Sequence, residues 1–409
     1  MTKTSSRPRR PRLLVLNQYY WPGNEATARL LTDLCDALSA DFEITVVTGR
    51  LRDTAEAAGT KTRHGVRIVR VSSTAFDRRQ LLPRALNYAT FLLQAFRAGL
   101  ASGRPDVVLC MTDPPVIGDI GLVLACRFRV PLVVISQDVF PEIAIELGRL
   151  ENPVVVGVLR QTIQAYLRRA DRIVAIGETM RRRLEVKGVE PARLRVIPNW
   201  VDTGRIVPAG RDNDWARANH LAGRFVVMHS GNIGHAQDLE TLIRASTFLR
   251  DLDDLSILII GAGARHHDLV SMATVLEAES VRFLGYQPDD LLAQSLSAAD
   301  VHFVGLSLGL AGYVVPSRLY GILAAGRPVL AAVEEDSETA GVVRQADCGI
   351  VLPPGRPDRL AAAIRAAHAG ELDLEGMGHR ARSYATSEAT REVAMGRYRE
   401  LLAELVRVP

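Results

Sequence analysis

Aromatic residues make up only 5% of the 409-residue chain. That leaves few platforms on which bases could stack and argues against nucleic acid as a partner. The four cysteines, Cys35, Cys110, Cys126 and Cys348, are far apart and form no C-x-x-C pair, so neither a zinc site nor a disulfide framework is indicated and a reducing, cytoplasmic setting fits. No stretch approaches the roughly 20 apolar residues that span a bilayer. The first apolar run, Leu13-Leu-Val-Leu16, is too short for a signal-peptide core and lacks a small-residue cleavage site. Acids are missing from Thr2 to Arg12, which reads TKTSSRPRRPR and supplies part of the formal charge of +4. Residues 1–12 are therefore expected to form a flexible basic tail, with weak attachment to anionic lipid as the alternative.

What is present is an α/β pattern. The length exceeds what one hydrophobic core usually serves, and the 47% hydrophobic content is that of a globular protein, so two domains are expected. Short apolar runs alternate with longer helical stretches, as in a βαβ succession. The strands are expected at 12–16, 43–48, 67–71, 107–111, 132–135, 172–176 and 194–197, which make a Rossmann-like domain over 13–205. A polar linker follows over 206–222. Strands at 225–229, 256–260, 280–284, 300–304, 329–332 and 349–352 make a second Rossmann-like domain over 223–375. A helical segment over 376–409 is expected to cross back to the first domain. Two such units facing a cleft would hold a ligand at the carboxyl ends of their strands.

Several loops suit an anion there. Gly23 and Asn24 follow the first strand and precede a helix; a phosphate seat and a plain strand-to-helix turn fit this loop equally well. Ser230-Gly231-Asn232-Ile-Gly234, with Gln237, forms a second cradle, and Gly261-Ala-Gly263 a third that lacks the last glycine of a dinucleotide fingerprint. The most informative stretch is Gly312-Tyr313-Val-Val-Pro316-Ser317-Arg318-Leu319-Tyr-Gly321. Ser317 reads as a helix cap and Arg318 as a first-turn cation, which a helix dipole alone disfavours and a bound polyanion explains. A surface arginine on a loop is the plainer alternative. Asp251-Leu-Asp253-Asp254 reads as a solvated loop, and His266-His267 face different ways on a helix, so no metal site is expected. The segment Asp77 to Leu100 reads as a helix covering the first sheet or as a membrane-surface helix.

From about residue 13 the chain resembles the GT-B glycosyltransferases of the retaining family-4 type, especially the bacterial polysaccharide branch of colanic acid and O-antigen enzymes. The branch segment P-S-K/R-x-Y-x-x-L-A-A-G-x-P stands here as Pro316-Ser317-Arg318-Leu-Tyr320-Gly-Ile-Leu-Ala-Ala-Gly326-Arg-Pro328. Gln18-Tyr-Tyr-Trp-Pro22, Asp138-Val-Phe-Pro141-Glu142, Ser230-Gly-Asn-Ile-Gly234 and Phe283-Leu284-Gly285-Tyr286 add to it. The resemblance implies transfer of a hexosyl or N-acetylhexosaminyl group from a UDP- or GDP-linked sugar, without metal or cofactor. The acceptor it implies is a hydroxyl, or a thiol, on a lipid-linked sugar or a small molecule.

By the same resemblance the donor lies against Gly23, Asn24, Ser230, Gly231, Asn232, Gln237, Gly261 and Gly263, then Leu284, Gly285, Tyr286, Gly312, Tyr313, Ser317, Leu319 and Gly321. It also implies a catalytic polar residue after the strand at 132–135, where Asp138 is the ionisable candidate and a helix cap before Pro141-Glu142 is the alternative. Gln137 and Glu142 are expected to meet the acceptor, and Arg318 is the second catalytic candidate, read from the residues themselves. The departures concern charge. The family's two glutamates, eight positions apart, fall on Tyr313 and Gly321, and its Arg/Lys pair on Asn232 and Gln237. Arg318 is then expected to supply the missing positive charge. A nucleotide-sugar-binding protein that hydrolyses its ligand or does no chemistry is the alternative; a nicotinamide dehydrogenase is not, because Asn17-Gln-Tyr-Tyr-Trp-Pro22 is no glycine fingerprint.

Overall fold

The computed structural model describes residues 9–406 apart from 24, 51–57, 73 and 75–80. Residues 1–8 of the basic tail, residues 77–80 and Asn24 thus lie outside the described residues. The strands are β1 (Arg12–Leu16), β2 (Glu43–Gly49), β3 (Gly59–Arg63), β4 (Val66–Val71), β5 (Val107–Met111), β6 (Leu132–Ser136), β7 (Arg172–Ala175), β8 (Leu194–Val196), β9 (Phe225–Ser230), β10 (Leu255–Ile260), β11 (Val281–Leu284), β12 (Val301–Gly305), β13 (Val329–Ala332) and β14 (Gly349–Leu352). The helices are α1 (Ala26–Leu38), α2 (Leu81–Ala101), α3 (Ile117–Phe128), α4 (Glu142–Glu146), α5 (Pro153–Leu167), α6 (Glu178–Val186), α7 (Asp214–Ala218), α8 (Leu239–Ser246), α9 (His266–Val275), α10 (Leu292–Ser297), α11 (Arg318–Ala324), α12 (Glu338–Ala346), α13 (Pro357–His368), α14 (Leu374–Ser387) and α15 (Arg391–Val406).

Two sheets result, ordered β3-β4-β2-β1-β5-β6-β7-β8 and β11-β10-β9-β12-β13-β14. Every pairing is parallel except that of β3 with β4. Most runs that the sequence marks as strands are predominantly apolar, as strands covered on both faces tend to be. Edge strand β3, Gly-Thr-Lys-Thr-Arg, is exposed over most of its length and so carries no apolar signal. In both sheets the chain starts in the middle and reverses its direction of growth, between β1 and β5 and between β9 and β12. These two reversal points are where parallel sheets open a crevice for ligands.

The stretch over 206–222, expected as a linker, is partly built into the second body. Asn213 caps α7 by accepting from Ala216 N, and α7 buries Trp215 beside Val226, Met228 and Leu258. Arg211 forks onto Asp300 at 2.8 and 2.9 Å. The polar composition of this stretch hid one aromatic anchor.

The domains meet along a continuous seam. Val139 N donates to Tyr313 O at 2.8 Å, and Asp138 and Val314 form an isolated β-bridge. Arg183 on α6 donates to Ala311 O at 3.1 Å and lies 4.6 Å over the Tyr313 ring. Thr179 Oγ1 donates to Asp336 O at 2.9 Å. The Glu338 carboxylate accepts from the backbone amides of Thr179 and Glu178, and its pKa is raised by burial against those two bonds.

Helix α15 crosses back and completes the core of the first domain. Tyr398, Leu401 and Leu402 are buried with Leu13, Val15 and Trp200, and the Trp200 and Tyr398 rings meet edge-on at 5.9 Å. Trp200 Nε1 donates to Asp33 Oδ2 at 2.6 Å, and Arg391 holds the other oxygen at 2.5 Å. Truncating a buried aromatic costs about 3 kcal/mol or more. Tyr398→Ala is expected to lower stability in chemical denaturation by that amount, whereas the exposed Glu400→Ala should leave it within about 0.5 kcal/mol.

Candidate functional site

The reversal point of the second sheet carries the arginine singled out in the sequence. Arg318 opens α11, and its Nη2 donates to Gly305 O at the end of β12, at 2.8 Å. Its Cδ lies 3.4 Å from where a Cβ on Gly231 would stand, just past the end of β9. The guanidinium therefore stretches across the β9–β12 crevice. Its Nε is buried without a hydrogen-bond partner, and among the described residues no carboxylate forms an ion pair with it. Burial draws its pKa down to about 10, so it stays charged at neutral pH. His229, on β9, has its pKa pushed well below the usual value by burial first and then by Arg318. It adds no second positive charge, and its Nε2 meets Asn232 O at 3.3 Å.

Ser230, Gly231, Asn232, Gly261, Gly263, Leu284, Gly285 and Tyr286 gather beside this cation, because the loops after β9, β10 and β11 are stitched together. Gly231 N donates to Ile260 O at 2.9 Å, Ile233 N to Ala262 O at 2.9 Å, and Gly261 N to Leu284 O at 2.9 Å. A Cβ on Gly261 would stand 1.8 Å from Gly231 O, and one on Gly263 2.2 Å from Ile233 O. These two glycines are demanded by backbones that cross, whether or not a phosphate approaches. Asn232 is exposed, and Tyr286, 60% exposed, stands at the rim.

Other expected donor residues have different partners. Gln237 Oε1 accepts from Gly234 N at 2.9 Å and shapes its own loop. Ser317 starts α11 without a side-chain cap bond, and Leu319 N donates to Pro316 O at 3.2 Å. Gly312, with φ of 79°, sits where a Cβ would stand 2.8 Å from Arg183 Cγ; its small size serves the seam. Tyr313 serves the seam as well. A Cβ on Gly321 would touch Leu296 and Ile206, so this position faces apolar packing.

On the first domain, Gln137 and Asn199 exchange hydrogen bonds of 3.2 and 3.0 Å and are both buried. This satisfied amide pair holds the end of β6 to the strand-end loop after β8. Glu142 is engaged by Lys187, at 2.5 Å, and by Arg160, at 3.3 Å. Asp138 is half-buried at the seam, and burial, then the charge of Asp113, raises its pKa to about 7. Gly23 N donates to Tyr20 O at 2.9 Å, and Gly23 borders a cavity of about 530 Å3 between the domains that is also lined by Trp21, Arg29, Trp200, Arg205 and Asp289.

Sequence reasoning missed three residues. Asp113 follows β5 in Thr-Asp-Pro-Pro, an acid at a strand end before two prolines. Glu334, just beyond β13, accepts from Gly309 N and Ala311 N at 3.0 Å each and sets the loop that reaches the first domain. Asn199 lies in Pro-Asn-Trp just past β8, where no local spacing marks it as a partner of Gln137. The acid cluster at Asp251 is a surface tie, with Arg365 forked onto Asp251 at 2.6 and 2.8 Å. Among the described residues no group of three or more metal-ligating side chains could hold an ion, and no helix is long and apolar enough to cross a membrane.

Comparison with known proteins agrees with this geometry. Residues 27–205 match the Glycosyltransferase Family 4 domain and residues 211–385 the glycosyl transferases group 1 domain. The probable glycosyltransferase WbjE of Pseudomonas aeruginosa is 28% identical over 326 residues, 76% of this chain and 81% of that protein. The putative colanic acid biosynthesis glycosyl transferase WcaI of Escherichia coli is 27% identical, covering 70% and 72%. The D-inositol 3-phosphate glycosyltransferase of Kineococcus radiotolerans is 30% identical, covering 68% of each. Among solved structures, Anabaena HepE in complex with UDP superimposes with a TM-score of 0.74 at 16% identity, over 96% of this chain and 100% of that one. Sucrose-phosphate synthase from Thermosynechococcus elongatus does so with 0.80 at 18%, over 98% and 100%. With both domains matched in order and the two reversal points facing one cleft, the chain belongs to the family-4-type glycosyltransferases of the GT-B fold.

Proposed function

We propose that the protein is a retaining glycosyltransferase that takes a hexosyl or N-acetylhexosaminyl group from a UDP- or GDP-linked sugar and passes it to a hydroxyl of a polysaccharide precursor. The observation that carries this reading is Arg318: a half-buried cation with no ion-pair partner among the described residues, held across the crevice where a GT-B enzyme would place its donor. A buried charge left unpaired is costly, and a bound anion offsets that cost. HepE, of the same fold, was solved with UDP, and UDP carries such an anion. As the sugar leaves, negative charge grows on the diphosphate, and a preorganised cation stabilises that state more than the ground state. The departing phosphate oxygen then accepts the acceptor's proton on the same face of the sugar, so the protein needs neither a carboxylate nucleophile nor a metal ion for the step.

The acceptor in this reading is a lipid-linked sugar at the cytoplasmic face of a membrane. Its support is the outer surface of α2, α3 and α5. Phe91 and Ala95 of α2 face the core, yet the opposite stripe exposes Leu86 at 53%, Leu93 at 49% and Leu100 at 38%. Val123 of α3 and Val154, Val155 and Val158 of α5 are exposed as well. The three helices carry one acid, the half-buried Asp119, against exposed Arg97, Arg127 and Arg160. An apolar face with a basic fringe suits an anionic bilayer, and the amino ends of these helices lie at the cleft side of the sheet.

Three experiments test this. Arg318→Ala is expected to lower turnover by about 100-fold or more and to abolish the thermal shift produced by UDP or GDP, with Arg318→Lys intermediate; activity within a few-fold of wild type would refute the role. Release of free nucleoside diphosphate distinguishes transfer and hydrolysis from mere binding. The chain should also co-sediment with vesicles containing phosphatidylglycerol, less so at high salt, and the Leu93→Glu/Val158→Glu variant should stay in the supernatant.

A further inference from the structure

Both chain crossings between the domains pass one point, and a single arginine is aimed at it. The first crossing is the stretch 200–206. Val201 N donates to Ala389 O at 3.0 Å, and Val201 forms an isolated parallel bridge with Thr390 in the second crossing, between α14 and α15. The Asp202 carboxylate then accepts from Gly204 N at 3.0 Å and Arg205 N at 2.9 Å, and Ile206 N donates to Asp202 O at 2.9 Å. Two carbonyls of this tight turn go to Arg382 on α14. Its Nη2 donates to Thr203 O at 3.0 Å and its Nη1 to Ile206 O at 2.7 Å. Nη1 also donates to the carbonyl of Ala324, the last residue of α11, at 2.7 Å.

Helix α14 is shaped to bring the guanidinium there. Its buried face is Gly378, Ala381 and Ala385, at the spacing of three and four that lines residues up along one side of a helix. A Cβ on Gly378 would stand 2.4 Å from Gly326 O, just past α11, so only glycine lets the two segments approach this closely. Arg382 follows Gly378 by one turn and so reaches the carboxyl end of α11, where carbonyls lack helical partners and a cation is favoured. Among the described residues its guanidinium bonds only to these three carbonyls and pairs with no carboxylate. Ile206 meets α11 a second time, since a Cβ on Gly321 would lie 3.8 Å from its Cδ1. The carboxyl end of α11 is thus fixed to the crossing, and its amino end, about 10 Å away along a helix of seven residues, carries Arg318.

We propose that Arg382 is a positioning residue for the donor: by tying α11 to the chain crossing between the domains, it sets where Arg318 stands in the β9–β12 crevice. The proposal rests on the donor reading of Arg318 for its ligand, and on the three carbonyl bonds for the placement. Arg382 acts through Arg318. A turn of one domain on the other reaches that cation through the same three bonds and the length of α11.

The test uses the full chain with Arg382→Met, which keeps the stem and removes the fork, and with Arg382→Lys as a milder variant that keeps the charge. Without nucleotide, the 15N signal of the Arg318 Nε in arginine-labelled protein, assigned by its loss in Arg318→Lys, should move in both variants. It should stay in place in Arg365→Met, which breaks only a surface tie to Asp251. An Arg318 signal unmoved by both Arg382 variants overturns the placement, whatever the donor. With UDP, or GDP if the chain prefers it, Arg382→Met should weaken binding about 10-fold in calorimetric titration, with Arg382→Lys between. In the Arg318→Lys background, where a flexible ammonium tolerates a displaced seat, the same change should cost less than about 3-fold. Equal losses in the two backgrounds, or none in either, overturn the positioning role. If the Arg318 signal moves as expected while neither UDP nor GDP binds the wild-type chain, the donor reading fails and the tie between Arg382 and Arg318 stands.

Discussion

The hydrogen bond from Val139 N to Tyr313 O is the point on which the molecule's use of two domains depends. It joins the loop after β6 to the loop after β12, so the carboxyl ends of two separate sheets share one cleft. Everything near it is shaped to permit that approach. Gly312 has no side chain because α6 lies where a Cβ would go, Glu334 fixes the loop's amides, and Arg183 covers the Tyr313 ring. With the seam closed, Arg318 lies in the β9–β12 crevice and Asp138 beside its bridge to Val314, and burial shifts the pKa of both. Charges in such a place act more strongly than at an open surface.

The two sides of the cleft each hold an ionisable group without an ion-pair partner among the described residues: Arg318 beside the second sheet, and Asp138 at the end of the first. Left alone, each arrangement is unfavourable, and neither can relieve the other while the domain loops keep them on separate strands. A donor that brings negative charge to one side and an acceptor that brings hydroxyl groups to the other would complete both. Local strain of this kind at a functional site is tolerated because the cores beneath it are continuous, apolar and closely packed.

Much of this architecture was legible in the chain because buried parallel strands are mostly apolar along their length. The runs at 107–111 and 329–332 have the predicted bounds, whereas β3 stayed hidden because an exposed edge strand need not be apolar. Arg318 was visible as a cation at an unsuitable helix position. Gly312, Tyr313 and Gln237 could be seen only as small or polar residues near a motif; that they serve backbone approach and loop shape depends, for the first two, on contacts more than a hundred residues apart in the chain. Asp113 was missed for the same reason: its significance comes from β6 lying next to β5, which no local spacing records.

The crossing of α15 has a further consequence for how the protein is made. Tyr398, Leu401 and Leu402 supply part of the core against which β1 and Trp200 pack, yet in chain order they come after the whole second sheet. The first domain therefore cannot close its own core until α15 has been made, while the second has its sheet complete by Leu352. Domains usually mature in order of synthesis; here the earlier one must wait, with an apolar face uncovered, for α15 to arrive.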